Sequence, residues 1–415
     1  MEIKFQELYG NDAPRQEERY EAIRRGFAAQ YGYEAREGTF FSAPGRTEIG
    51  GNHTDHNHGR VLAGAVDLDI VGLAQKTGND TIRLKSAEYD KIDVVDLTDL
   101  SLHPEDTGSQ SLIRGICAKC RELGYQVGGF DCYTITQVLK GSGLSSSAAF
   151  EVLVVTVISH LFNAGSIDPI TAAKISQYAE NVYFGKPSGL LDQMASSVGG
   201  VTAMDFADPS APVVEKVTFD LASYGHALCV VDTGGNHADL TGEYAAIPQE
   251  MKAVAQFFGK EFLRQVDEAA FYEKLPQVRK AAGDRAVLRA MHFFDDDRLA
   301  HEEAQALKAG DFPGFLRKVR ASGQSSLQRL QNVFAPQAPQ EQGITLALSL
   351  SQRLLGEQGA CRVHGGGFAG TIQAYVPFDL LGSYRQGMEH VFGKGSCYVL
   401  SFRQAGGTKV LTRGE

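Results

Sequence analysis

Lys140-Gly141-Ser142-Gly143-Leu144-Ser145-Ser146-Ser147-Ala148-Ala149 stands between residues 130–138, which alternate with period two, and an apolar stretch over about 146–162. The first pattern predicts a strand and the second a buried helix. Glycines in such a turn let the backbone approach an anion, and free N–H groups at the helix start point at it, aided by the dipole. Three serines add hydroxyl donors and a possible magnesium ligand. No Gly-Lys-Ser/Thr follows, so this is not a Walker loop. Ser146 holds the third glycine position of a dinucleotide fingerprint, so that reading fails too. By itself the segment is either a phosphate-binding loop or a tight turn with a serine cap.

Outward from it, the first half of the chain alternates short β-like runs (39–43, 61–74, 81–84, 92–97) with glycine turns, and 112–123 reads as a helix. Asp168-Pro169 starts another helix, Asp as N-cap and Pro at the first helical position, running to about 181. A strand at 227–232 precedes a mostly helical stretch over about 242–356. Two strands, 361–363 and 371–376, flank a glycine-rich segment, and a helix and a strand at 397–402 close the chain. Strands and helices mix without regular alternation, which predicts α+β over a doubly wound parallel sheet. Asp208-Pro209-Ser210-Ala211-Pro212 marks a domain boundary, dividing the chain into 1–208 and 209–415.

Composition narrows the function classes. The 415 residues suggest two or three domains, and 43% hydrophobic with 22% charged residues excludes disorder. Fifty acidic against 40 basic residues leave a formal charge of −10 without an electrostatic footprint for nucleic acid or an anionic membrane. Residues 1–25 are charged and lack a signal-peptide core. The longest strongly apolar run, around 152–158, is far short of the ~20 residues that span a bilayer. Six cysteines make no disulfide scaffold, and Cys117 and Cys120 form a lone C-x-x-C that reads as incidental thiols in a helix. The expectation is a soluble cytoplasmic protein, monomeric by preference, with small molecules rather than nucleic acid or membrane as partners.

Two further segments carry polar chemistry. Arg46-Thr47-Glu48-Ile49-Gly50-Gly51-Asn52-His53-Thr54-Asp55-His56-Asn57-His58 sets a polar cluster between apolar strands. It could hydrogen-bond a polyhydroxylated ligand. It could also hold a metal through His53, Asp55, His56 and His58, or be a solvated turn. Gly365-Gly366-Gly367-Phe368-Ala369-Gly370 either admits a ligand against the backbone or merely joins two strands.

In this order the three segments resemble the three motifs of the GHMP small-molecule kinases, and the first motif resembles the galactokinase family in particular. That family reads Arg-x-Asn-x-Ile-Gly-Glu-His-Thr-Asp-Tyr where this chain has Arg46 to His56. The resemblance continues through Glu180-Asn181, Gly189-Leu190-Leu191-Asp192-Gln193 and Gly242-Glu243-Tyr244. It implies a two-domain GHMP fold with the site between the domains, moving the γ-phosphate of ATP to the C1 hydroxyl of galactose. It assigns Arg46 and Asp192 as the catalytic pair, and Asn52, His53, Asp55, Gly189 and Tyr244 to the sugar. Gly141, Ser142, Gly143, Leu144, Ser145, Ser146 and Ser147 go to the nucleotide, and Ser147 with Glu180 to magnesium. Asn52 stands for the family's Glu, Glu48 for its Asn and His56 for its Tyr, and several of the departures touch the sugar pocket. A galacturonate or N-acetylhexosamine kinase therefore stays as the alternative, beside a non-catalytic sugar sensor. Retention of Arg46 and Asp192 argues against the sensor, and the phosphate loop against a histidine-built metal hydrolase.

Overall fold

The computed structural model describes residues 2–106, 108–138, 143–235 and 240–412. Its strands are β1 (Glu2–Lys4), β2 (Thr39–Gly50), β3 (Arg60–Lys76), β4 (Thr81–Ser86), β5 (Ile92–Asp96), β6 (Phe130–Thr136), β7 (Val201–Asp205), β8 (Val213–Val217), β9 (His226–Asp232), β10 (Ala360–Val363), β11 (Thr371–Pro377), β12 (Cys397–Leu400) and β13 (Thr408–Leu411). A nine-stranded sheet runs β1-β13-β2-β3-β6-β4-β5, with β7 on β3 and β8 on β7. A four-stranded sheet runs β10-β11-β9-β12. The fold is the expected mixed α+β.

Strand β2 is longer than its apolar run, because Arg46, Thr47 and Glu48 stay in the ladder with β3. Register shifts between Pro44 and Arg46 and between Glu48 and Gly50 interrupt that ladder where the polar cluster begins, as bulges do when a strand must re-aim its side chains. The helix Ser146–Asn163 is apolar on nearly every side and buries residues 148, 149 and 151–159. It is long and apolar enough to cross a membrane, but most of it lies inside the protein, which is how a helix without a polar face behaves in a core. Asp168 accepts from the backbone N–H of Ile170 and Thr171 at 3.0 Å and Pro169 opens the helix to Tyr178. Cys117 and Cys120 are buried thiols in the helix Ser109–Glu122.

Strand β9 shows the alternation that positions the second sheet. Leu228 and Val230 face one cluster with Phe315 and Val319, while Cys229 and Val231 face another with Ile344, Leu348 and Met388. The helices Thr241–Phe257 and Asp284–Lys308 share a third core through Ile247, Met251, Val254, Ala290 and Phe293. The expected boundary at 208/209 lies in the connection between β7 and β8, which pair with each other, and β13 returns from the chain end to pair with β2. The large sheet thus draws strands from both sides of that boundary.

Candidate active site

Arg46 leaves β2 just after the bulge, and its guanidinium meets Asp192 at the start of the helix Leu191–Val198. Nε and Nη2 each lie 2.7 Å from Oδ1 of Asp192. The other oxygen, Oδ2, accepts from the hydroxyl of Ser145. Burial alone would raise the Asp192 pKa, but the charge and hydrogen bonds of Arg46, with the Ser145 bond, hold it below the usual carboxylate range. The pair is thus ionised at neutral pH.

Residues 143 and 144 are locked to the same strand. Arg46 donates to the carbonyl of Gly143, and its own N–H bonds the Leu144 carbonyl at 3.0 Å. Gly143 has φ +72°, and a Cβ there would sit 2.8 Å from Thr371 Oγ1 and 2.9 Å from His364 Nδ1. A side chain at Gly45 would meet the Leu144 carbonyl at 2.9 Å, so both glycines are needed for close approach. Ser145 is left-handed, φ 55°, immediately before the first turn of the core helix. Gly141 and Ser142 lie outside the described residues.

Ser147 and Glu180 come together as expected. Ser147 Oγ is 3.4 Å from Glu180 Oε1, and Glu180 is buried where the helix after Pro169 widens into a π turn, Ala179–Tyr183. Gln193 donates to both Glu180 (2.8 Å) and the fully buried Glu151 (3.1 Å). Burial and then the charge of Glu180 push the Glu151 carboxyl well above the usual range.

The polar cluster after β2 folds around the glycine-rich loop. His53 bonds the Gly366 carbonyl at 3.0 Å, and Tyr244 donates to the Gly367 carbonyl at 2.9 Å. Burial lowers the His53 pKa to about 3, so the ring is neutral and keeps one acceptor nitrogen. Asp55 accepts from the His56 N–H at 2.9 Å, and its Oδ2 occupies the space a Cβ on Gly189 would need. Gly189 is three residues before Asp192, so this contact ties Asp55 to the segment that carries Asp192.

Asn52 is used differently from the expectation that it faces a sugar. It is fully buried, and its Nδ2 donates to Glu48 Oε1 and the Gly365 carbonyl, both at 2.8 Å. Its Oδ1 accepts from Asn332 (2.8 Å) and Ser326 (3.3 Å). Both donors and both acceptor positions of the amide are taken by protein. As for the metal reading of this segment, the described residues contain no group of three or more His, Cys, Asp or Glu placed to hold an ion, and His58 stacks on Phe262 instead.

Residues 25–76 match the galactokinase galactose-binding signature and residues 111–200 the GHMP kinase N-terminal domain. The galactokinase of Actinobacillus pleuropneumoniae serotype 3 (strain JL03) is 30% identical over 358 residues, which cover 85% of this chain and 88% of that one. The chain belongs to the galactokinase family. It is thereby an ATP-dependent sugar kinase. The galactokinase of Streptomyces coelicolor is also 30% identical, covering 88% of this chain and 91% of its own. In fold, the chain resembles the Lactococcus lactis galactokinase solved with galactose (23% identical, TM-score 0.81, covering 94% and 99%) and a mevalonate kinase (14%, TM-score 0.63, 88% and 99%).

Several residues that shape this galactokinase-family site were given no role by the sequence reading. His364 is buried between Thr47 Oγ1 (3.1 Å) and Thr371 Oγ1 (3.0 Å), beneath Gly143, and burial lowers its pKa to about 3. Asn332 bonds Asn52 and the Gly366 carbonyl. Arg362 lies fully buried, 3.0 Å from Glu48. Glu48 and Asn52, as departures from the family pattern, were the signals of this buried network.

Proposed function

We propose that the chain transfers the γ-phosphate of ATP to the C1 hydroxyl of galactose, giving galactose 1-phosphate. The observation that carries the reading is the Arg46–Asp192 pair joined to the phosphate loop through Gly143, Leu144 and Ser145. Phosphoryl transfer to a hydroxyl needs positioning, charge neutralisation and a proton acceptor. Asp192, ionised and fixed through Oδ1, takes the hydroxyl proton. Arg46 keeps that carboxylate charged and faces the transferred phosphoryl group. Gly141 to Ser147, with the N-terminus of the core helix, hold the nucleotide phosphates. His53, Asp55 and Tyr244, with Gly189 making room, receive the sugar hydroxyls.

Magnesium fits Ser147 and Glu180. They are hard oxygen donors already side by side, and Glu151 Oε1 is buried near them without a hydrogen-bond partner. Bound there, the ion would neutralise phosphate charge. We read residues 1–208 and 209–415 as the two domains, the second lending β8 and β13 to the first sheet, in a cytoplasmic monomer.

The test is ADP release measured over galactose, galacturonate, glucose and N-acetylgalactosamine, with the phosphorylated carbon identified by NMR. Galactose should lead, with phosphate on C1. Galactose turned over no faster than glucose would overturn the sugar assignment.

A further inference from the structure

Lys186 lies in the connection between the π turn and the helix Leu191–Val198. Its ammonium is 2.8 Å from Oε1 of Glu180, the oxygen that Ser147 also faces. Glu180 Oε2 is taken by Ser188 at 2.6 Å and Gln193 at 2.8 Å. The carboxylate side chain is 3% exposed and the lysine 56% exposed, so Glu180 is held and Lys186 is the partner free to leave. Glu151, fully buried with Oε1 unpartnered, backs the same site. Asp192, ionised, adds to the field that favours a cation here.

We propose that Lys186 is the resident cation of the metal site. Its ammonium occupies the Glu180 oxygen a divalent ion would use, so metal enters together with nucleotide, whose phosphate oxygens take over the ammonium. The proposal rests on the reading of Ser147 and Glu180 as magnesium ligands. The physical reason is charge balance. A free divalent ion must break a charge-assisted bond and then sit beside a displaced ammonium with no counter-charge. A metal–nucleotide complex brings anionic oxygens that pair with that ammonium, so both cations keep partners. Lys186 is a positioning residue in this scheme, and it adds positive charge at the phosphates.

The experiment needs no sugar, so the identity of the sugar does not affect it. Mn²⁺ binding is followed by loss of the free-ion EPR signal, without nucleotide, for the full chain and for Lys186→Met, Lys186→Gln and Lys186→Met/Glu180→Gln. Melting curves establish that each variant is folded, and the exposed lysine position favours this. Removing the competitor should tighten Mn²⁺ binding by about tenfold in both single variants, and Glu180→Gln should abolish the gain. Calorimetry should show metal-free ADP binding weakened by a similar factor in Lys186→Met. Unchanged Mn²⁺ binding in the folded single variants overturns the role of Lys186. Tightened binding that survives Glu180→Gln places the ion elsewhere, overturning the Ser147/Glu180 reading and this proposal with it.

Discussion

Asn52→Asp separates a sugar-facing residue from a structural one. The change keeps the shape and Oδ1, which still accepts from Asn332 and Ser326, but turns the Nδ2 donor into an acceptor. That acceptor faces Glu48 Oε1 and the Gly365 carbonyl, each 2.8 Å from the present nitrogen. Two buried hydrogen bonds are lost, at about 1 kcal/mol each. A second carboxylate beside Glu48 then adds the cost of a buried like-charge pair, for a total of about 3–5 kcal/mol at pH 8.5. Burial raises the Glu48 pKa to about 7, against the pull of Arg362 and Arg46. At pH 5.5 Glu48 therefore carries a proton it can donate across the gap, and the loss falls to about 1–2 kcal/mol. The variant's deficit should grow as pH rises from 5.5 to 8.5. With unfolding entropy scaling with length, a chain this size shifts by roughly 1 °C per kcal/mol, so Tm should drop about 3–5 °C at the higher pH if both sheets melt together. Thermal melts and urea unfolding at the two pH values measure this. A variant within 1 kcal/mol of wild type at pH 8.5, with the galactose KM raised instead, would refute the enclosed Asn52 and restore the sugar-facing reading.

Asp192→Asn should lower kcat by about 100-fold or more in a protein that still unfolds cooperatively, and near-normal turnover would remove Asp192 from the chemistry. Because its pKa is held below the usual carboxylate range, wild-type kcat/KM should show no acid limb from Asp192 between pH 8 and pH 5. A limb that Asp192→Asn abolishes would contradict this. Gly189→Ala puts a methyl where Asp55 Oδ2 now lies. The carboxylate can swing aside cheaply, so the sugar KM should rise about tenfold while stability changes by less than about 1 kcal/mol, and an unaltered KM would show that Asp55 does not meet the sugar. Glu303 is fully buried with both oxygens unpartnered, and burial holds its pKa well above normal. The folded state keeps a proton that the unfolded chain releases above about pH 4.3, so stability falls with pH up to the folded pKa. Glu303→Gln should flatten that decline, its Tm gaining on wild type from pH 5 to pH 9; parallel curves would refute it.

Much of the architecture was local enough to read. Period-two alternation marked β6, a β-like run marked much of β3, the Asp168-Pro169 cap is made as written, and the apolar run after Ser146 became the core helix. Arg46 with Asp192 and Ser147 with Glu180 were named from motif resemblance, and the fold brings each pair together. The short strand β13 and the continuation of β2 through Arg46, Thr47 and Glu48 were not readable, because polar residues enter a ladder only when a neighbouring strand satisfies their backbone.

The sequence by itself determined which residues could do chemistry, because a phosphate loop, a carboxylate beside it and a charged strand end are properties of residue type and spacing. Only the tertiary structure decided which of them are free to do it. Asn52 and His53 are adjacent in the chain and equally polar. Asn52 is closed off by Glu48, Gly365, Ser326 and Asn332, three of which lie more than 270 positions away, while His53 spends one ring nitrogen on the Gly366 carbonyl. A side chain's remaining hydrogen-bonding capacity is what distant segments leave unsatisfied, and no local pattern encodes that.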